Sequence, residues 1–526
     1  MKILLVSIKS DMFPVGMAYI SAAIKASNHE VDCFVYDNYQ DFINRLDTEK
    51  YDFVATGGLS SQYKIIKNIS DIACGKNIKL IIGGGIITSE PELMSRALKA
   101  DYSVIGEGEI TIVELLDCIE NGSDISTVDG IGYFDEDKYI INSNRAANSD
   151  LDLLPYPDYQ SFGYEDALNA ARSSDIYYFD LFDHPREYPI VTSRSCPFKC
   201  TFCYHPLGDT YRQRSIDSVM DELKIVIPKF RINIISIYDE LFSHDEKRVD
   251  DFCSQLTSYL STIPWEVKWF CQMKASGLKS EMLDKMKNSG CYMVSYGFES
   301  YSPTILKSMK KGITPQQIDN AINVTLDKNI SIQANFIFGD RLETMETALE
   351  TLNYWKTRPE AGILLGFIIP CPNSEIYQYC IEKGIIKDRF DFIVNHMFDI
   401  VNITSMSNSD FIELKELVNS HSVSYGVTSI PRKVTESCVI VKCPHCSETI
   451  TYGNYVIDTS NFYRMIYCRK CRKRFFILNR LEKIKRVLFL NHIEKIKQYL
   501  KPITRHRLVL KLRKTVSTAL FKPNKH

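Results

Sequence analysis

No stretch of the 526 residues reaches the roughly 18 uninterrupted apolar residues of a membrane-spanning helix. The opening run Met1-Lys2-Ile3-Leu4-Leu5-Val6 is too short for a secretory signal and has no small-residue cleavage site after it. A secreted disulfide framework is also missing, because the sixteen cysteines fall into two tight clusters plus scattered single residues. Clusters of that kind read as metal ligands, and the expected location is the cytoplasm. Charge imbalance is small overall, at −2, but it is unevenly placed. Residues 481–526 hold 13 Lys/Arg against 2 Asp/Glu, a basic arm on an acidic body. With 45% apolar and 24% charged residues the chain reads as globular and not disordered. Its length suggests about three or four domains.

The stretch that organises the rest is Cys196-Pro197-Phe198-Lys199-Cys200-Thr201-Phe202-Cys203, which follows the strand-like run Tyr188-Pro189-Ile190-Val191-Thr192. Three thiols spaced CxxxCxxC can turn inward onto one soft metal centre. Thiolates favour zinc and iron–sulfur clusters, and a 4Fe–4S cluster normally takes four such ligands. Only three are local, so one iron of such a cluster would keep an open position for a chelating ligand. Three buried cysteines close together by chance, or a three-thiolate zinc site, are the plainer alternatives.

CxxxCxxC with an aromatic residue before the third Cys resembles the signature of the radical S-adenosylmethionine (SAM) superfamily. The resemblance implies a 4Fe–4S cluster on Cys196, Cys200 and Cys203, with SAM chelating the open iron and cleaved to an adenosyl radical. It also implies an open six-stranded partial barrel. Strand-like runs at Ile232–Tyr238, Val267–Cys271, Met293–Phe298, Ile332–Phe338 and Gly366–Ile369 alternate with helical stretches and suit that count. Three strand ends match the family: Tyr238-Asp239-Glu240, Gly297-Phe298-Glu299-Ser300, and Phe336-Ile337-Phe338-Gly339 with Glu343-Thr344. The SAM contacts so implied are Phe202, Tyr238, Asp239, Glu240, Glu299 and Ile337. By themselves, acidic residues at strand ends are more often solvated or paired. The later Pro370-Cys371-Pro372-Asn373-Ser374-Glu375-Ile376-Tyr377 resembles the closing segment of cobalamin-type members.

Residues 1–125 alternate apolar strands with helices, which predicts a doubly wound parallel sheet with its ligand at the carboxyl ends of the strands. Those ends carry Pro14-Val15-Gly16, Thr56-Gly57-Gly58, Gly83-Gly84-Gly85 and Gly106-Glu107-Gly108-Glu109. The segment resembles the cobalamin-binding domain that precedes many radical SAM domains. Pro14, Val15, Gly16, Gly57, Gly83, Gly84, Gly85, Glu107 and Gly108 are the cobalamin contacts so implied. Cobalamin carriers with D-x-H-x-x-G supply an axial imidazole. Here Phe13 stands at the histidine position and cannot ligate cobalt, so the lower axial position is expected to be empty or filled by water or another side chain, with an apolar ring beneath the corrin. The plainer alternative is a Rossmann-like domain that only packs against its neighbour.

The expected organisation is therefore α/β: a cobalamin-binding domain over 1–125, a connector over 126–187, and a radical SAM partial barrel over 188–385. A helical extension over 386–435, a zinc ribbon over 436–480 and the basic arm over 481–526 follow. The ribbon rests on Cys443-Pro444-His445-Cys446 and Cys468-Arg469-Lys470-Cys471, two CxxC turns suited to one tetrahedral zinc. It is taken as a separate unit, closed to substrate and acting as a local folding staple, with an auxiliary iron–sulfur cluster as the alternative. The arm suits a membrane surface, nucleic acid or the protein's own acidic body.

Together the resemblances imply a cobalamin-dependent radical SAM methyltransferase acting on an unactivated carbon of a small molecule. A flavodoxin or ferredoxin would serve as electron donor. Radical cyclisation or ring rearrangement with the same cofactors is the second reading. A non-catalytic zinc-ribbon adaptor that binds nucleic acid is the third. Cys33, Cys74 and Cys118 do not form the N-terminal cluster pattern of a methylthiotransferase. Tyr204, His205 and His184 lie near the cluster in sequence and receive no role.

Overall fold

The computed structural model describes residues 1–484 apart from 11, 243–244, 425 and 458–462. All but the first four residues of the basic arm therefore lie outside the described residues, as does Asp11 of the first loop.

Five runs of β-branched and leucine-rich sequence form β1 (Lys2–Ile8), β2 (Glu30–Tyr36), β3 (Phe53–Gly57), β4 (Lys79–Gly83) and β5 (Tyr102–Val104). They pair in parallel, and the antiparallel hairpin β6 (Ile131–Asp135) and β7 (Lys138–Ile141) extends the edge, giving the order β2-β1-β3-β4-β5-β6-β7. The order reverses between β1 and β3, so the ligand crevice of this doubly wound sheet lies outside their carboxyl ends. The helix α1 (Val15–Lys25) leaves that crevice and buries Ala18, Tyr19, Ala22, Ala23 and Ile24 on the sheet.

The second sheet is wholly parallel: β8 (Glu187–Ile190), then, past the short pair β9 (Ser193–Arg194) and β10 (Arg212–Gln213), β11 (Ile234–Ile237), β12 (Lys268–Met273), β13 (Cys291–Glu299), β14 (Ser331–Phe338) and β15 (Leu364–Phe367). Its order, β15-β14-β13-β12-β11-β8, is that of a six-stranded partial barrel traversed in sequence. Helices between the strands cover the outside. Their starts are written in the sequence: Ser215 caps the helix Ile216–Phe230, and Thr314 with Gln317 forms a capping box on Pro315–Asp327. Trp269, Phe298 and Phe336 are fully buried.

The two sheets share their packing. One buried cluster runs from Leu5 and Ile24 through Tyr159 and Tyr164 to Ile190 and Phe336. Another joins Val54, Ile66 and Ile82 to Ile376, Tyr377 and Phe392, residues that follow the barrel. Buried Glu90 accepts hydrogen bonds from Tyr377 Oη at 2.9 Å and Arg389 Nη1 at 3.0 Å across that second seam.

After the helix Asn408–Ser424 the chain builds two small three-stranded sheets. One holds β16 (Thr428–Ser429), β20 (Tyr463–Tyr467) and β21 (Arg474–Leu478), the other β17 (Lys433–Val434), β18 (Cys438–Lys442) and β19 (Thr449–Gly453). This module does not stand apart as the sequence suggests. Its backbone and side chains bond to residues 171–183, Asn329, Ile332 and Gly362, at the amino-terminal rim of the barrel. Among the described residues no helix is long and apolar enough to cross a membrane.

Candidate active site

The three-thiol loop starts at the carboxyl end of β8. Asp239 fastens its root, accepting hydrogen bonds from Thr192 N (2.7 Å), Thr192 Oγ1 (2.5 Å) and Ser193 Oγ (2.8 Å). Burial pushes the Asp239 carboxyl up to about 6. With both oxygens used inside the protein, Asp239 is not free for the SAM contact expected of it; its part is to hold the loop. Ser195 adopts φ +65° and turns the chain into Cys196. Further on, Thr201 N donates to Met309 O (3.1 Å) and Thr201 O accepts from Ile376 N (3.0 Å). Cys196 and Cys200 are half-buried and Cys203 is exposed. Burial raises the first two thiols above their ordinary range, so a bound metal is what would deprotonate them. Only two groups among the described residues converge to within 4.8 Å, the four C-terminal cysteines and His29 with Asp117 and Glu120. The wider spread of Cys196, Cys200 and Cys203 suits thiolates that each take a different iron.

Around the loop stand groups that spacing alone does not reveal. Lys311 Nζ lies 3.0 Å from Glu299 Oε1 and 5.8 Å from the Phe202 ring centroid. Burial works against its charge, but the Glu299 carboxylate beside it is the largest of the causes that outweigh burial and hold its pKa above the ordinary lysine value. Lys274 Nζ sits 3.5 Å over the Phe198 ring. Glu299 itself has φ +62°, a left-handed conformation that non-glycine residues seldom adopt and that marks functional strand ends. Glu240 Oε2 lies 3.1 Å from His205 Nδ1, and His205 Nε2 is buried without a protein partner. Tyr238 faces the barrel interior, its hydroxyl 3.1 Å from that of Tyr178. Phe202 and Ile337 are half-buried against the core shared with the first sheet. The residues expected to meet SAM thus gather at one end of the barrel, with Asp239 tied up in holding the loop, and Lys311 and Lys274 join them.

The crevice of the first sheet faces this loop. Tyr204, next to the third thiol, donates its hydroxyl to Gly85 O at 3.0 Å. Not every glycine there is kept small for a ligand. A Cβ on Gly57 would meet Gly83 O at 2.6 Å, one on Gly84 would meet Gly58 N at 2.8 Å, and one on Gly108 would meet Ile20 Cδ1 at 2.8 Å. The first two allow backbone to approach backbone, whereas at Gly108 the collision is only with the movable tip of Ile20. A Cβ on Gly16 or Gly106 would meet nothing within 4 Å, and those two border open space. The apolar side chains of Met12 and Leu59, at the carboxyl ends of β1 and β3, are 50% and 56% exposed, a rim suited to a large, partly apolar ligand.

Two expectations for this crevice change. Phe13 packs on Tyr159 and Tyr164, with ring centroids 6.1 and 4.7 Å away, and so serves the connector's aromatic core instead of a corrin face. Glu107 is sequestered too. It accepts from Arg194 Nη1 (2.9 Å), Arg212 Nη1 (2.8 Å) and Asn148 N (3.0 Å), while Arg194 Nη2 reaches Glu109. All four charged side chains are under a tenth exposed. Burial would raise the Glu107 carboxyl, yet Arg194 and Arg212 hold it below its usual range. The Gly-Glu-Gly-Glu turn is therefore an ionic seam to the residue two before Cys196. His29, the one histidine in residues 1–125, lies at the amino end of β2, 3.0 Å from Asp117, and offers nothing to the crevice.

The C-terminal cysteines form a second, closed centre. Cys443 Sγ and Cys471 Sγ are 3.8 Å apart, and Cys446 Sγ and Cys468 Sγ 3.7 Å. Four sulfurs bound at about 2.3 Å to one tetrahedral ion stand about 3.8 Å from one another. The donor set thus fits a single ion and is too tight for a multinuclear cluster.

Residues 1–116 match the B12 binding domain family and residues 190–354 the radical SAM superfamily. An uncharacterised methyltransferase of Pyrococcus horikoshii is 27% identical over 390 residues, covering 71% of this chain and 79% of the relative. The anaerobic magnesium-protoporphyrin IX monomethyl ester cyclase of Rubrivivax gelatinosus is 25% identical over 393 residues, covering 72% and 68%. The radical SAM methyltransferase TsrM of Kitasatospora setae, solved with cobalamin and a 4Fe–4S cluster, superposes with a TM-score of 0.59 at 17% identity, over 72% of this chain and 75% of that one. With a three-thiol loop at one barrel end and a doubly wound sheet opening onto it, the chain is a radical SAM enzyme, of the branch that carries an N-terminal B12-binding domain.

Proposed function

We propose that this enzyme is a cobalamin-dependent methyltransferase that places a methyl group on an unactivated carbon of a small molecule. The observation that carries this reading is the Tyr204–Gly85 hydrogen bond, which makes the cluster loop and the glycine-bordered crevice immediate neighbours. When bound, the cluster with SAM supplies a carbon-centred radical and cobalamin a transferable methyl group. The residues then divide the work. Cys196, Cys200 and Cys203 hold three irons and leave one for SAM. Phe202, Tyr238, Glu240, Glu299 and Ile337 line the SAM side, and the Lys311 ammonium meets negative charge there. Gly16 and Gly106, with Pro14, Val15 and the backbone of Gly83–Gly85, border the corrin. Gln272, Ser295, Gln333 and Asn335, polar positions of β12, β13 and β14 that are not buried, would meet the substrate. Exposed Cys203 and Lys199 mark the face at which a flavodoxin- or ferredoxin-type donor would deliver an electron. Cys443, Cys446, Cys468 and Cys471 hold zinc. The relative from Pyrococcus horikoshii, named a methyltransferase, supports the reaction type.

The test is an untargeted metabolite comparison of cells with the intact enzyme and cells carrying Cys200→Ala. A metabolite heavier by one methylene, present only with the intact enzyme, is expected. A product that has instead lost two hydrogens would indicate ring closure and overturn the methyl-transfer reading.

A further inference from the structure

The tetrathiolate centre lies at the end of the barrel away from the three-thiol loop, yet the residues beside its ligands reach straight into the barrel. Tyr467, immediately before Cys468, donates its N–H to Asp180 Oδ2 (2.7 Å) and its hydroxyl to Ile332 O (3.0 Å), near the start of β14. Arg469, immediately after it, donates Nε to Asp180 O (2.7 Å) and Nη2 to Asp183 Oδ1 (2.8 Å). Lys470 O accepts from Asn329 Nδ2 (3.1 Å), and Arg474 Nη1 donates to Gly362 O (2.6 Å) in the turn before β15. Asp180 is only 3% exposed, and burial raises its carboxyl above the usual range, with the Tyr467 N–H, Arg469, Arg472 and Arg474 opposing that rise only in part.

The segment so clamped is the aromatic run Tyr177-Tyr178-Phe179. Tyr178 projects into the barrel, its ring centroid 4.6 Å from that of Phe270 and its hydroxyl 2.8 Å from Glu187 Oε1. Tyr178, Phe270, Met293 and Tyr467 form one buried cluster on the inner face, so a residue of the metal module is itself part of the barrel's floor. The Tyr178 hydroxyl then meets that of Tyr238, one of the residues at the SAM end. A continuous path of covalent and hydrogen bonds therefore runs from the metal-binding turn, through Asp180 and Tyr178, to Tyr238.

We infer that the tetrathiolate ion braces the floor of the substrate chamber. A closed, single-ion site fixes the 467–474 turn, the turn fixes residues 176–183, and these set Tyr178 beneath the reacting centre. That the barrel interior is the substrate chamber rests on the function proposed above; the bracing itself does not. The ion is a positioning element with no part in electron transfer.

The test uses the full chain, anaerobically reconstituted, and follows amide hydrogen exchange peptide by peptide with metal content measured alongside. Wild-type protein should hold one zinc in addition to one 4Fe–4S cluster, and cobalt substitution should give the thiolate charge-transfer bands of tetrahedral Co(II). Cys446→Ser should lose that ion and speed exchange about tenfold in residues 176–183 and at the start of β14 as well as in 438–478, with cluster iron unchanged. Should Cys446→Ser fold poorly, zinc chelation and zinc re-addition on wild-type protein give the same comparison reversibly. Asp180→Ala should keep its zinc and loosen 176–183. Faster exchange confined to 438–478 on metal loss, or tight exchange at 176–183 in Asp180→Ala, would overturn the brace. Eight irons and no zinc in wild-type protein would overturn the single-ion site. Neither result depends on finding a substrate, so failure here and failure of the methyl-transfer reading remain distinguishable.

Discussion

Gly84 carries a demand made by the chain itself. At φ +79° it lies where side chains are disfavoured, and a Cβ would meet both Gly58 N (2.8 Å) and Gly58 O (2.9 Å). Gly84→Val should therefore cost about 1–3 kcal/mol from backbone strain alone and more from the collision, lowering the thermal midpoint and expelling cobalamin as the β3 and β4 loops part. Gly16→Ala, facing open space, should keep the wild-type midpoint and weaken only cobalamin retention. Thermal unfolding with and without cobalamin checks the pair, and a Gly84→Val protein as stable as wild type would refute the close approach. Glycines at strand ends are legible in the sequence; which of them serve a ligand and which serve a neighbouring loop is not, because the partner of Gly84 lies 26 residues upstream at Gly58. The same limit explains Phe13 and Asp239. Motif position named both, but Tyr159, Tyr164 and Thr192 decide what they touch.

The elements are joined by charge as well as by apolar packing. Arg194, on β9, reaches two carboxylates at the start of the helix Glu109–Glu120, and all are buried. Arg194→Ala would leave Glu107 and Glu109 without their shared cation. Removing one partner of a buried ion pair costs about 3–5 kcal/mol, so a lower denaturation midpoint is expected. Arg194→Lys should not restore it, since an ammonium cannot present two parallel N–H groups to two carboxylates. An Arg194→Ala midpoint within error of wild type would show the seam to be energetically idle. The β/α alternation of both sheets and both cysteine patterns were legible, because strand periodicity and thiol spacing are local. The docking of the metal module was not: Asp180 and Tyr467 stand 287 residues apart and meet through a backbone N–H, which leaves no trace in residue type. Lys311 was missed for a related reason, since a lysine in a turn reads as solvated until the fold sets it beside Glu299.

At the scale of the whole molecule, two sheets place their carboxyl ends against each other, and a third module closes the barrel from its far rim. Contact through Tyr204 and Gly85 and the ionic seam at Arg194 join the two sheets, and the function proposed above treats the junction as one site. The measurement that tests this most directly is anaerobic reconstitution of the full chain with iron, sulfide and cobalamin, followed by cobalt and iron analysis, electron paramagnetic resonance and a SAM-cleavage assay. One cobalamin per chain and one 4Fe–4S cluster are expected, with SAM cleavage abolished by Ala at Cys196, Cys200 or Cys203. Because His29, the one histidine of residues 1–125, is at the wrong end of the sheet, that domain offers cobalt no imidazole; the Co(II) signal should lack nitrogen coupling, and it should broaden when the cluster is reduced beside it. A protein that cleaves SAM but retains no cobalamin, or that retains cobalamin with a nitrogen-coupled signal indifferent to the cluster, would contradict the account.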